Sequence, residues 1–138
     1  MPPSESGKIS GRPKPVPMIF YADYDYAWDS ALKEMQRYNL KTVNKEVGSI
    51  ITDEMREYEG RQERNEYRYH IEVALTVLPK EEELPQTQVV ITKYVSQYRG
   101  LDTDRLVASD LVEEKVILHR IQRLLEIERT KLQKAAEK

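Results

Sequence analysis

The sequence predicts an α+β fold: a two-layer sandwich with two helices on one face of an antiparallel sheet of about four to five strands, a helix-grip-like arrangement. Two helices are indicated because apolar residues recur at steps of three and four along 24–39 and again along 110–134. The sheet is indicated because residues 67–77 are apolar at every second position. One apolar stripe on each helix and one apolar face on the sheet can cover each other.

The chain is expected to open with a leader. Residues 1–17 contain five of the seven prolines and few apolar side chains. Such a segment cannot bury enough apolar surface to offset the entropy of ordering it, so a flexible leader is predicted there. A single domain is predicted for 18–138. The apolar run from Val16 to Tyr21 suits its first strand.

A helix and a hairpin are expected next. Asp23 is a candidate N-cap for a helix over 24–39, which Trp28 and Leu32 would anchor to the sheet. Residues 42–52 read as a hairpin in which Gly48 supplies the permissive backbone of the turn. The second arm is expected to continue through 55–58, and polar residues 59–65 to form a loop.

Two long strands should follow. The first covers 67–77 and is expected to end at Pro79 and the acidic run 81–83. The second covers 87–98. A loop of about eight residues between them suits an antiparallel pair.

A long helix is expected to close the domain. It should begin near Asp110, with Glu113 completing a capping box, and end near Lys134. Its leucines recur every seven residues, at Leu111, Leu118, Leu125 and Leu132. Packing of this stripe against the sheet is the favoured interpretation, and a helix-mediated dimer is the alternative.

Composition argues against several functional classes. The net charge is −2, and acids alternate with bases along the last helix, so no nucleic-acid binding is expected. The two histidines, His70 and His119, are far apart and there is no cysteine, so no metal site is expected. No nucleophile motif and no glycine-rich phosphate loop occur, so we predict a non-enzyme without a cofactor. No apolar run reaches transmembrane length.

The candidate partner site lies at the end of the last strand. Tyr94 and Tyr98 fall on one side of that strand, next to Arg99. Tyrosine and arginine are favoured at protein interfaces because they combine apolar area with a polar tip. Ordinary burial at a sheet edge is the alternative interpretation.

Two stretches carry a family resemblance. Asp23-Tyr24-Asp25-Tyr26-Ala27-Trp28-Asp29-Ser30-Ala31-Leu32 after an apolar strand, and Val47-Gly48-Ser49-Ile50-Ile51 in the hairpin, resemble the opening of a BamC/NlpB-type periplasmic lipoprotein domain. In order of elements, the resemblance extends from about Ile19 to Leu132.

The resemblance implies a non-catalytic accessory or scaffold domain of the bacterial cell envelope. It implies a periplasmic location, a protein partner in an outer-membrane assembly complex, and membrane attachment only through an N-terminal lipid anchor. The lipidated cysteine of that family is absent from this sequence. The alternative function is binding of a small hydrophobic ligand between the last helix and the sheet, because the order of elements also resembles START-like helix-grip proteins.

Overall fold

The computed structural model of the chain describes residues 12–59, 65–98 and 105–136. Within these residues it confirms the α+β class, with two helices and an open antiparallel sheet of seven strands rather than four to five. The elements in chain order are β1 (Val16–Phe20), α1 (Tyr24–Met35), β2 (Leu40–Asn44), β3 (Ser49–Thr52), β4 (Met55–Glu59), β5 (Asn65–Glu81), β6 (Leu84–Tyr98), β7 (Arg105–Val107) and α2 (Val112–Ala136). Strand β1 therefore begins two residues inside the stretch predicted as leader.

The long β5–β6 hairpin forms the centre of the sheet. The strand order is β1-β6-β5-β3-β2, while β4 pairs with β5 and β7 pairs with β6. Strands β3 and β4 share the side of β5 that β6 leaves free, and β1 and β7 share the corresponding side of β6. The strand count was underestimated because β7 is too short to show a period and β4 was expected to continue β3.

The core lies between the helices and the odd-numbered side chains of the central strands. Register pairs odd residues of β5 with odd residues of β6, as in Ile71 with Lys93 and Val73 with Ile91. This confirms the predicted buried face of 67–77, except that Val77 is 63% exposed. The buried cluster joins these strand residues to both helices: Trp28, Ala31, Met35, Ile71, Val73, Leu75, Val89, Ile91, Ile117, Leu118 and Ile121.

The connection between β5 and β6 differs from expectation. The predicted eight-residue loop is wrong, because β5 continues through Pro79 to Glu81 and β6 begins at Leu84. Glu82 and Glu83 form a two-residue turn with φ of 50° and 66°. A register irregularity between Leu78 and Glu81 accommodates Pro79, which has no N–H to donate to a regular ladder.

The first helix is shorter than expected. It ends at Met35, and Tyr38 N–H then bonds to the Met35 carbonyl in the turn that follows. Asp23 is the N-cap residue, but its side chain makes no capping hydrogen bond. Its carbonyl accepts from Ala27 N–H instead.

The last helix begins two residues after the expected position. Asp110 Oδ1 accepts from Val112 N–H at 3.0 Å, and Leu111 precedes the helix with φ of 69°. The capping-box prediction is wrong, because the Glu113 carboxylate faces inward, as described below. Of the four spaced leucines, Leu118 and Leu125 are buried and Leu132 is about half exposed. Neither α1 nor α2 is long and apolar enough to cross a membrane.

Gly48 is required by the backbone of the β2–β3 turn. Its φ is +81°, and a Cβ at this position would collide with the carbonyl oxygen of Leu75. The Gly48 carbonyl accepts from Leu75 N–H at 2.8 Å, so the turn packs directly on β5. A side chain is therefore excluded here both by conformation and by space.

Candidate functional site: the open face of the sheet

The even-numbered side chains of β5 and β6 lie on the face of the sheet that the helices leave uncovered. We call this surface the open face and define it by Arg68, His70, Glu72, Tyr94 and Tyr98. The register places His70 opposite Tyr94, and Glu66 opposite Tyr98. Neighbouring strands carry these side chains at spacings that allow direct contact.

Two stacked pairs occupy the open face. The His70 and Tyr94 rings lie 4.8 Å apart between centroids, at an interplanar angle of 10°. One step along the sheet, the Arg68 guanidinium carbon lies 3.8 Å from the centroid of the Tyr98 ring. Stacking and cation–π contact both hold the tyrosines against β5. The result is a surface of stacked side chains with polar tips.

Charges on the open face are paired. Arg68 Nε donates to Glu66 Oε2 at 3.0 Å, and Arg56 Nη1 lies 3.8 Å from Glu66 Oε1. His70 Nε2 lies 3.0 Å from Glu72 Oε2. Since both arginines lie beside the Glu66 carboxylate, the surface lacks the uncompensated positive stripe that phosphate recognition needs.

The structure brings two of the three predicted site residues together. Tyr94 and Tyr98 share the open face and are both partly exposed. Arg99 lies outside the described residues. Burial, helped by the Glu72 carboxylate, raises the pKa of Tyr94, which keeps its phenol a neutral donor.

Sequence reasoning missed Arg68 as the cation stacked on a tyrosine. The alternation of 67–77 already assigns Arg68 and His70 to the wetter face. Their pairing with Tyr98 and Tyr94 depends on the register between strands, and the mistaken loop length left that register undetermined.

A second cluster of polar side chains lies between the helices and the sheet. Lys93 Nζ lies 2.9 Å from Glu113 Oε1, and Tyr38 OH donates to Glu113 Oε2 at 2.6 Å. Lys93 Nζ also lies 4.4 Å from the centroid of the Tyr69 ring. This cluster ties the turn after α1 to β6 and to the start of α2.

The raised pKa values of this cluster do not favour a general base or a nucleophile. Burial lowers the pKa of Lys93, but the hydrogen bond and charge of Glu113 outweigh burial and raise it overall. Burial, followed by the hydrogen bond to Glu113, raises the pKa of Tyr38. A base or nucleophile needs the opposite shift, because it must lose its proton near neutral pH. The geometry therefore favours a structural role for Lys93 and Tyr38.

Other chemistry is limited within the described ranges. There, no group of three or more His, Asp or Glu residues is arranged to hold a metal ion. An apolar cavity of about 190 Å³ lies at the far end of α2, lined in part by Ala22, Pro85, Leu125 and Leu132. Small-molecule sites have volumes of about 300 Å³ or more.

Comparison with known proteins leaves the open face as the main guide to function. The sequence matches no protein-family model, and no curated protein matches it significantly. The function is therefore inferred from the paired charges and stacked rings of the open face.

Proposed function

We propose that this domain is a non-catalytic accessory module that binds a partner protein on the open face of its sheet. The observation that carries the proposal is the pair of stacked contacts, His70 with Tyr94 and Arg68 with Tyr98. Tyrosine and arginine contribute a disproportionate share of binding energy at protein interfaces. Here three such side chains, Arg68, Tyr94 and Tyr98, form one continuous uncovered surface together with His70.

The stacked arrangement lowers the entropy cost of binding. Arg68 is held by Tyr98 on one side and by Glu66 at 3.0 Å on the other. A long side chain that is already immobilised loses little rotamer freedom when a partner docks. The open face is therefore preorganised rather than assembled on contact.

Charge balance favours a protein partner over a nucleic acid. Arg68 and Arg56 lie beside the Glu66 carboxylate, and the Glu72 carboxylate lies 3.0 Å from His70 Nε2, so acids and arginines are balanced locally. Protein interfaces of modest size are mixed polar and aromatic surfaces of this kind. Binding through them should depend weakly on salt.

The setting we propose is the bacterial cell envelope. This part of the proposal rests on the resemblance to BamC/NlpB-type domains and their helix-grip-like arrangement, with a periplasmic location and a partner in an outer-membrane assembly complex. The order β1, α1 and the β2–β3 hairpin, with Trp28 buried and Gly48 at the turn, supports it. Membrane attachment would come from a lipid anchor upstream.

Site-specific crosslinking tests the proposal directly. Ser96 lies on the open face between the two tyrosines, so a photoreactive amino acid at this position should crosslink one defined partner in intact cells. The same group at Lys115, which is exposed near the start of α2, serves as the matched control. Crosslinking equally from both positions, or from neither, would argue against the open face.

A loss-of-function variant tests the same surface independently. The double substitution Tyr94→Ser with Tyr98→Ser should weaken partner recovery at least about tenfold, the scale of lost hot spots. Tyr26→Ser removes a similarly exposed tyrosine on the helix side and should retain binding. Full binding by the double variant would contradict the proposal.

A hydrophobic-ligand function has one observation in its favour, the apolar cavity of about 190 Å³ beside Leu125 and Leu132. Titration with a fatty acid, followed by the methyl NMR signals of these leucines, tests this alternative. Saturable shifts at micromolar ligand would support it, and unchanged signals would remove it.

A further inference from the structure

A trough runs between α1 and the C-terminal half of α2, on the opposite side of the domain from the open face. One part, of about 290 Å³, lies between Asp29 and Lys33 on α1 and Leu124 and Ile127 on α2. It meets the apolar cavity of about 190 Å³ at Tyr26 and Glu128, which line both. We call the combined groove the helix trough.

The helix trough exposes apolar side chains that the domain itself does not cover. Tyr21, Tyr26, Ile127 and Leu132 are each between 44% and 50% exposed. The last fully buried residue of α2 is Leu125, yet the helix continues to Ala136. Large apolar side chains clustered around one groove indicate a surface that is covered by a partner.

The two walls of the helix trough carry opposite charge. Residues 21–33 contain three acids and one base, Lys33, whereas residues 127–136 contain three bases and one acid, Glu128. The acidic wall is Asp23, Asp25 and Asp29, and the basic wall is Arg129, Lys131 and Lys134. Ion pairs of Asp25 with Lys45 and of Lys131 with Glu128 neutralise part of each wall and leave the contrast between them.

We infer that the helix trough is the interface with a second copy of this chain. In a two-fold dimer, the same patch on both copies must complement itself. The trough meets this condition, because the basic wall of each copy would lie over the acidic wall of the other. Ile127 and Leu132 of one copy would then fill the groove of its partner. This inference is independent of the open face and its partner protein.

Sedimentation equilibrium of the full chain tests for this dimer. The wild type should dimerise at micromolar concentration. Ile127→Glu and Leu132→Glu should each raise the dissociation constant at least about tenfold, because they place a carboxylate in the apolar contact. Both positions are about half exposed, so the fold tolerates the change.

A matched control separates the trough from the rest of α2. Val112 is 60% exposed at the opposite end of the helix, so Val112→Glu should leave the dissociation constant within about twofold of wild type. A monomer at every concentration, or equal weakening by Val112→Glu and Ile127→Glu, would overturn the inference. A monomer that binds a hydrophobic compound in the trough would also overturn it.

Exchange of charge between the walls tests the arrangement of the two copies. Asp29→Lys and Arg129→Glu should each weaken the dimer, because each brings like charges together across the interface. The combined variant should recover to within about threefold of wild type, because the charges are again complementary. Additive weakening in the combined variant would exclude the wall-on-wall dimer.

Discussion

Glu113 and Glu114 are adjacent in α2, but only Glu113 has partners for its carboxylate. Glu113 binds Lys93 Nζ at 2.9 Å and Tyr38 OH at 2.6 Å. Glu114 is fully buried, and neither of its carboxylate oxygens has a hydrogen-bond partner among the described residues. Neighbouring residues on a helix point about 100° apart, so the Glu113 carboxylate binds the polar cluster, whereas the Glu114 carboxylate is buried without a hydrogen bond, near enough to Lys93 to help raise its pKa.

The two glutamates should therefore respond oppositely to the same substitution. Glu114→Met should raise the free energy of unfolding by about 1–3 kcal/mol, because it removes an unpaired polar group from the core. Glu113→Met should lower it by a similar amount, because Lys93 and Tyr38 lose their acceptor. Urea denaturation at neutral pH measures both. Destabilisation by Glu114→Met would show that its carboxylate is satisfied.

Tyr38 should make the domain sensitive to alkaline pH. Burial and the hydrogen bond to Glu113 raise its pKa above the ordinary value of 10.0. As pH rises above this value, the unfolded chain loses the phenol proton while the folded chain keeps it, so stability falls with pH. Lys93, whose pKa is also raised, contributes in the same direction above 10.5.

Tyr38→Phe should accordingly reduce the loss of stability at alkaline pH. The free energy of unfolding, measured by urea denaturation at steps from pH 8 to about 11.5, should fall less steeply in the variant than in wild type. Parallel curves would contradict this role for Tyr38.

Thr52 should be important for stability, because it lies where β4 replaces β3 as the strand paired with β5. Its Oγ1 accepts from Ile71 N–H at 2.9 Å in a site that is 1% exposed. Thr52→Val keeps the shape but leaves that amide unsatisfied, which should cost about 1–3 kcal/mol. Thr76→Val, on the exposed face of β5, should change stability by less than about 0.5 kcal/mol. Equal effects in thermal denaturation would contradict the assignment.

Substitutions in the β5–β6 turn should increase the stability of the domain. Glu82 and Glu83 both adopt positive φ, a region that asparagine and glycine occupy at lower cost. The double substitution Glu82→Asn with Glu83→Gly should raise the free energy of unfolding by about 1 kcal/mol or more. Glu81→Asn, just before the turn, is the control and should not stabilise. A destabilised double variant would argue against this turn geometry.

Sequence alone was sufficient where one pattern repeats over many residues. The alternation of Tyr67 through Leu75 and the stripes of Trp28 and Ile121 specified the buried faces, because burial imposes a fixed period on each element. The alternation of the last strand placed Tyr94 and Tyr98 on one face, and the register agrees.

Features that depend on a single residue or a distant contact were not predictable. The turn at Glu82 and Glu83 lacks the glycine or asparagine that marks such turns, so local chemistry pointed to a loop. Tyr38 and Glu113 are 75 residues apart, and their hydrogen bond exists only once the turn after α1 and the start of α2 come together. Because of that contact, the Glu113 side chain points inward instead of completing the expected capping box of α2.

The distal end of the β5–β6 hairpin projects past the rest of the sheet. Within the described residues, β1 pairs with β6 only as far as Thr87, and the β3 side contacts β5 only as far as Leu75. Residues 76–86 therefore form a two-stranded arm whose tip is remote from the open face. A short tag or fluorophore inserted between Glu82 and Glu83 would be held at the tip of this arm. Its position would report the orientation of the domain in a larger assembly.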